Sequence, residues 1–243
     1  MISEKAWSRA AVLRLMTSVL LTLCFGVLIS SAALHFLKDV KGIDEKFAGM
    51  VLFTASFQGA AIIWIYFFLR EQGVTWKEGF GLGNAPRRAL AFGVGIGAVA
   101  LPVVLGWNQL AAELLVRVGV KPETQQAVQR LQAGMTSGQQ IYLALVAVIL
   151  APLVEELLFR GIIYPTVKQA GYPRIALWGT ALMFGAIHAN LASFLPLAIF
   201  ALILSWAYER TNNLLAPMVI HGLFNAANFL FIIFSDEIQR AFT

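Results

Sequence analysis

Seven apolar runs fix what this chain can fold into: residues 12–37, 49–69, 89–115, 141–167, 174–188, 194–208 and 214–234. A helix that crosses a bilayer needs about 20 predominantly apolar residues, and five of the seven runs reach that length. Hydrocarbon offers no water to the backbone, so only helices and closed barrels satisfy every N–H and C=O there. The runs are continuously apolar rather than alternating, which selects helices. The 243 residues are 59% hydrophobic and only 13% charged, about half the charged share of soluble domains. An all-α, polytopic membrane helical bundle of about 7–8 transmembrane helices follows, as a single membrane domain over 1–243. An eighth helix arises if the third run divides, or from residues 116–140, where Val120, Val128 and Leu131 are spaced like a weak amphipathic surface helix.

The first run is longer than the apolar core of a signal peptide. Its His35 sits near the end of the run and carries no assigned role. Cys24 is the single cysteine, which excludes an intrachain disulfide and a cysteine metal site. The net charge of +5 has no aromatic-interleaved basic stripe to go with it, so it points to loops near anionic lipid and to no nucleic acid. Placing the N-terminus inside puts ten Lys and Arg on the cytoplasmic side against seven outside, a bias that favours this orientation. The glycines of GFGLG, residues 79–83, lack the strand–helix context of a phosphate loop. Gly93, Gly95 and Gly97 thin the third run for close helix contact.

The fourth run carries charges where a membrane helix should have none. Residues 150–163 read LAPLVEELLFRGII, with Glu155, Glu156 and Arg160 among aliphatic side chains. Each charge at a helix centre costs about 2.5–3.5 kcal/mol on insertion scales. Glu156 and Arg160 are spaced i, i+4 and can pair along one face. Glu155 lies about 100° round the helix from Glu156 and needs a partner elsewhere. A structural ion network is the plain reading of such a group, and a functional site is the usual one inside a membrane.

The other polar groups in apolar runs are histidines and asparagines. His188 follows Phe184 by four residues, and His221, Asn225 and Asn228 share one face of the last run. Convergence of Glu155, His188 and the His221/Asn225 face on one cavity would satisfy all of them. Straight vertical helices would not bring them together. At ~1.5 Å per residue, His188 lies about 21 Å from Arg174 and His221 about 10 Å from Leu214, so the helices must be tilted, offset or broken.

Three motifs stand here in order: EELLFR at Glu155 to Arg160, FGAIH at Phe184 to His188, and HGLFN at His221 to Asn225. They match EExxxR, FxxxH and HxxxN, and 141–234, the catalytic core helices, resembles the CPBP family. That family comprises the type II CAAX prenyl endopeptidases and the bacteriocin-processing, Abi-type intramembrane proteases. Residues before 141 share with it only their hydrophobicity. The resemblance implies an endopeptidase that hydrolyses a peptide bond of a membrane-associated protein or peptide. By motif position, Glu155 and His188 would activate water, and His221 and Asn225 would stabilise the oxyanion. Glu156, Arg160, Phe184 and Asn228 would support the site.

Residue chemistry agrees with these roles, because peptide hydrolysis needs a base for water and donors for the developing oxyanion. No cofactor is expected. The alternatives are a zinc-dependent membrane metalloprotease using Glu155, His188 and His221 as ligands, and a non-enzymatic transporter or immunity protein with a polar relay. The HExxH zinc helix is absent. The expected location is integral to a bacterial inner (cytoplasmic) membrane, with the lipid bilayer and a membrane-associated substrate as partners.

Overall fold

The computed structural model describes residues 7–37, 40, 42, 44–120 and 135–234, and all regular structure among them is helical. In chain order the helices are α1 (Arg9–Leu37), α2 (Glu45–Glu71), α3 (Trp76–Phe80), α4 (Pro86–Arg117), α5 (Ser137–Gln169), α6 (Pro173–Ile187), α7 (Leu191–Thr211) and α8 (Leu215–Ile233). Six of them are long and apolar enough to cross a membrane, and α6 is a shorter apolar helix. The seven expected runs thus each become a helix. Most of the expected surface helix, including Val128 and Leu131, lies outside the described residues.

Capping explains where several helices begin. The Asp44 carboxylate accepts from the amides of Lys46 and Phe47 and starts α2. Thr136 and Gln139 form a reciprocal capping box that starts α5, satisfying two of the amides that a helix start leaves orphaned. Asn190 accepts from the Ser193 amide and starts α7.

The chain forms two compact units. In the unit of residues 6–79, α1 and α2 pack side by side. A Cβ on Gly26 would lie 2.3 Å from Ser56 Cβ, so glycine is needed for that approach. Trp64 Nε1 donates to Thr22 Oγ1 at 2.9 Å, and Arg14 pairs with Glu71. Large side chains such as Leu13, Phe25 and Leu28 remain exposed on α1, the surface expected of a helix facing lipid.

The second unit begins at Phe80 and holds α4 to α8. Of the three glycines in the third run, Gly93 and Gly97 press on α8, where added Cβ atoms would meet Ala216 O at 2.9 Å and Leu223 Cδ1 at 3.0 Å. Gly95 faces open space, as a residue two positions from Gly93 must. The GFGLG string has a structural use. Gly81 has φ of 67°, and a Cβ there would lie 2.1 Å from Asn212 O. The Leu214 amide donates to Phe80 O at 3.0 Å, and across the same junction Asn84 Nδ2 donates to Asn212 O and Asn213 Nδ2 to Asn84 O. This clasp ties the start of α4 to the α7–α8 turn. Behind it, the Phe80 ring covers Gly161 on α5, where a Cβ would come within 2.6 Å of the ring. At the end of α5, Glu209 of α7 accepts from both Tyr164 and Lys168.

Candidate active site

Two prolines shape α5. Pro has no N–H, and its ring clashes with the carbonyl four residues before it. Helix α5 widens into a π-turn at Val146–Leu150 and again at Leu157–Ile163, each ending two residues before a proline, Pro152 and Pro165. Such local π adjustments accommodate proline in membrane helices and recur at functional sites. Glu155 and Glu156 lie on the short α segment Ala151–Glu156 between the two π-turns.

Glu156 is fully buried and bound on two sides. Arg160 Nη1 donates to its Oε1 at 2.8 Å, the spacing expected of the i, i+4 pair. His221 Nδ1, from α8, reaches the same oxygen at 2.9 Å. Arg160 is itself 1% exposed. Its Nη2 donates to Ala201 O on α7 at 3.0 Å, and its guanidinium lies 4.8 Å from the centroid of Phe184.

Glu155 was expected to diverge from Glu156 and need another partner. The partner is the far edge of the same imidazole: His221 Nε2 lies 3.8 Å from Glu155 Oε2. A histidine ring carries its two nitrogens on different edges, so one ring serves two carboxylates on adjacent residues. Glu155 is 15% exposed where Glu156 is 0%. Glu155 is therefore the less enclosed of the two, although its Oε2 is buried without a hydrogen bond, and Glu156 is the one sealed in.

The His221 ring is held by aromatic edges as well. Phe184 lies 5.6 Å away and Phe200 5.6 Å away, both in T-shaped contact. His188 caps the end of α6. Its Nδ1 is 2.7 Å from Phe184 O, a carbonyl that can only accept, so Nδ1 carries a proton and Nε2 is the nitrogen whose lone pair a neutral ring would present. The His188 ring packs against Phe184 at 4.9 Å. Phe184 thus touches Arg160, His188 and His221 together.

The remaining motif asparagines are placed differently. Asn225 Nδ2 donates to Ala147 O of the first π-turn at 2.8 Å, leaving its second N–H. Asn228 donates to Phe224 O within its own helix at 2.8 Å. Among the described residues no three His, Cys, Asp or Glu side chains are grouped so as to hold a metal ion.

Span α7 supplies two groups that carry no polar signal in the sequence: the Phe200 ring against His221 and the Ala201 carbonyl under Arg160. Pro152 was visible as a proline, but its effect on the carbonyls before it shows only with the π-turn.

Residues 137–227 match the family model for type II CAAX prenyl endopeptidase, Rce1-like. Among curated proteins, UPF0177 protein YxdF of Lactococcus lactis subsp. lactis (strain IL1403) is 30% identical over 78 residues, 32% of this chain and 42% of that protein. UPF0177 protein YaiF of the same organism is 32% identical over 87 residues, 34% of this chain and 37% of that protein. The matches thus span less than half the length of these relatives. No solved structure matches significantly. The Rce1-like match spans all three motifs, EELLFR, FGAIH and HGLFN, so residues 137–227 are similar to the type II CAAX prenyl endopeptidases, consistent with the CPBP family.

Proposed function

We propose that this integral membrane protein is an endopeptidase that hydrolyses a peptide bond of a membrane-associated protein or peptide, with Glu155 and His188 activating water and His221 and Asn225 binding the oxyanion. The family supports a CAAX-type membrane endopeptidase. The observation that carries the mechanism is the His221 ring between two glutamates, one sealed and one less enclosed.

In this scheme the lone pair of His188 Nε2 holds the water and Glu155 takes its proton. The hydroxide adds to the scissile carbonyl carbon, and the carbonyl oxygen becomes an oxyanion. The second N–H of Asn225 donates to that oxygen. Protonated on both nitrogens, His221 donates its Nδ1–H to Glu156 and its Nε2–H to the oxyanion, and the flanking carboxylates balance that charge. Glu155 then returns its proton to the leaving nitrogen as the C–N bond breaks. Preorganised donors of this kind each contribute about 10²–10³ in rate.

The test is cleavage of a fluorogenic CAAX-ended peptide, with and without a farnesyl group, by purified protein and by Glu155→Gln. Membrane peptidomes of cells carrying each form extend the search to other substrates. Turnover by the parent and its loss in Glu155→Gln supports the reading. Turnover that survives in Glu155→Gln removes Glu155 as the base.

A further inference from the structure

The motif residues do not explain why Asn225 spends an N–H on a backbone carbonyl, and Pro152 supplies the reason. In an α-helix the carbonyl of Ala147 would accept from the amide of residue 151, and in a π-turn from that of residue 152. The Ala151 amide goes to Val146 O, and residue 152 is proline, with no N–H to give. The carbonyl of Val148 loses its α-helical donor to the same proline. In a membrane span such a carbonyl must find a donor from another element.

Helix α8 meets both carbonyls. Asn225 Nδ2 donates to Ala147 O at 2.8 Å. A Cβ on Gly222 would stand 2.9 Å from Val148 O, so only glycine lets the α8 backbone come this close. Gly222 adjoins His221, and Asn225 lies one turn beyond it. These two contacts therefore set both the rotation and the height of His221 against α5, where its ring must meet Glu155 and Glu156 on the next turn after Pro152.

We propose that Pro152, Gly222 and Asn225 form a latch: the proline bares the Ala147 carbonyl on α5, and α8 docks there, with Asn225 on Ala147 O and Gly222 close against Val148 O, in the one register that seats His221 between the glutamates. Pro152 and Gly222 are positioning residues for the site, and Asn225 has a structural bond in addition to its catalytic donor. Only the catalytic consequence rests on the proposed protease reading; the latch itself rests on the carbonyls and their partners.

The latch makes a prediction that needs no substrate. Pro152→Ala restores an amide that can serve the bared carbonyl from within α5. The cost of Asn225→Ala should then depend on what occupies position 152. Purified full-length protein in detergent micelles is unfolded thermally as parent, Asn225→Ala, Pro152→Ala and the double variant. The expected result is a loss of several degrees for Asn225→Ala in the parent, at least halved in the Pro152→Ala background. Equal losses in both backgrounds overturn the pairing. If Asn225→Ala yields no folded protein, recovery of folded protein in the double variant supports the latch and its failure overturns it.

A second measurement reads position rather than stability. The chain has three histidines, so ¹⁵N-histidine labelling gives a sparse spectrum. Gly222→Ala and Asn225→Ser should each displace the Nδ1–H signal of His221. The signal of His188, bonded within its own helix end, should stay. An unmoved His221 signal in the folded variants refutes the positioning role.

Discussion

Replacing Arg160 by methionine tests the buried network most directly. The substitution keeps much of the side-chain volume and removes the charge. It strips Glu156 Oε1 of its 2.8 Å partner in a place with no solvent, while Glu156 Oε2 already has no hydrogen bond. Breaking a buried pair from one side costs about 3–5 kcal/mol. The lower half of that range applies, because His221 Nδ1 still reaches Oε1. The Ala201 carbonyl keeps a second donor in Ser205 Oγ at 2.9 Å, so it adds little. For a chain of this size 1 kcal/mol moves Tm by about 2–4 °C, so Arg160→Met should lower Tm by roughly 6–16 °C, taking about 3–4 kcal/mol. The assay is thermal unfolding in one detergent, with folded yield by size exclusion. Adding Glu156→Gln removes the stranded charge and keeps an acceptor for His221, so the double variant should regain most of the loss. An Arg160→Met protein as stable as the parent, or a double variant no better than the single one, would refute the network as a stability element and point to Arg160 as a substrate-binding group.

Other outcomes follow from the same geometry. Glu155→Gln should reduce turnover by at least ~10², the low end for a general base, with folded yield unchanged; the purified variant is measured against the parent on one substrate. Asn225→Ala should reduce kcat by about 10²–10³, and chelators should leave the parent's rate unchanged; stoichiometric zinc lost with activity on chelation and restored with it would favour a metal site instead. Phe200→Leu removes one aromatic wall of His221, a contact of about 0.5–1.5 kcal/mol, and should lower kcat with KM nearly constant. Gly81→Ala meets both a left-handed backbone, φ 67°, and the Asn212 carbonyl, so it should lower Tm without changing KM.

Much of this was legible because membrane helices obey few rules. Apolar runs located seven helices, six of them long and apolar enough to cross a membrane, and three motifs marked the polar residues. The Glu156–Arg160 pair followed from i, i+4 spacing and is present at 2.8 Å. The convergence of Glu155 with His221 was expected, but a single ring meeting both glutamates was not legible, since helix geometry alone turns Glu155 away from Glu156. It depends on a ring from α8 placed so that its two nitrogens reach both. The π-turns around the glutamates were illegible for a related reason: a proline in an apolar run signals a kink, while the kind of kink depends on which neighbour can serve the freed carbonyls. Phe200 and Ala201 lie in a run that is apolar on every face, so nothing in the pattern marks the side that meets the site. The glycine string at 79–83 was visible but had no stated use, because its reason is a backbone contact with Asn212, far along the chain.

The charge cluster also says how its helices must associate. Within α5, Arg160 balances Glu156, and the second glutamate is left without a counterpart on its own helix. With both glutamates ionised, the buried stretch of α5 from Glu155 to Arg160 carries one net negative charge at a depth where each charge costs about 2.5–3.5 kcal/mol, while Lys168 at the helix end pairs with Glu209. Protonated, His221 supplies the balance from α8, 65 residues beyond Glu156. The Ala147 carbonyl, bared by Pro152, likewise finds its partner on α8, at Asn225, with Gly222 set close against Val148 O. Both deficits of α5, one of charge and one of hydrogen bonding, are therefore met by the same turn and a half of one helix. The requirements for inserting α5 and for assembling the site thus coincide, and a substitution on α8 that breaks either contact should be felt first in the folded yield of the whole unit.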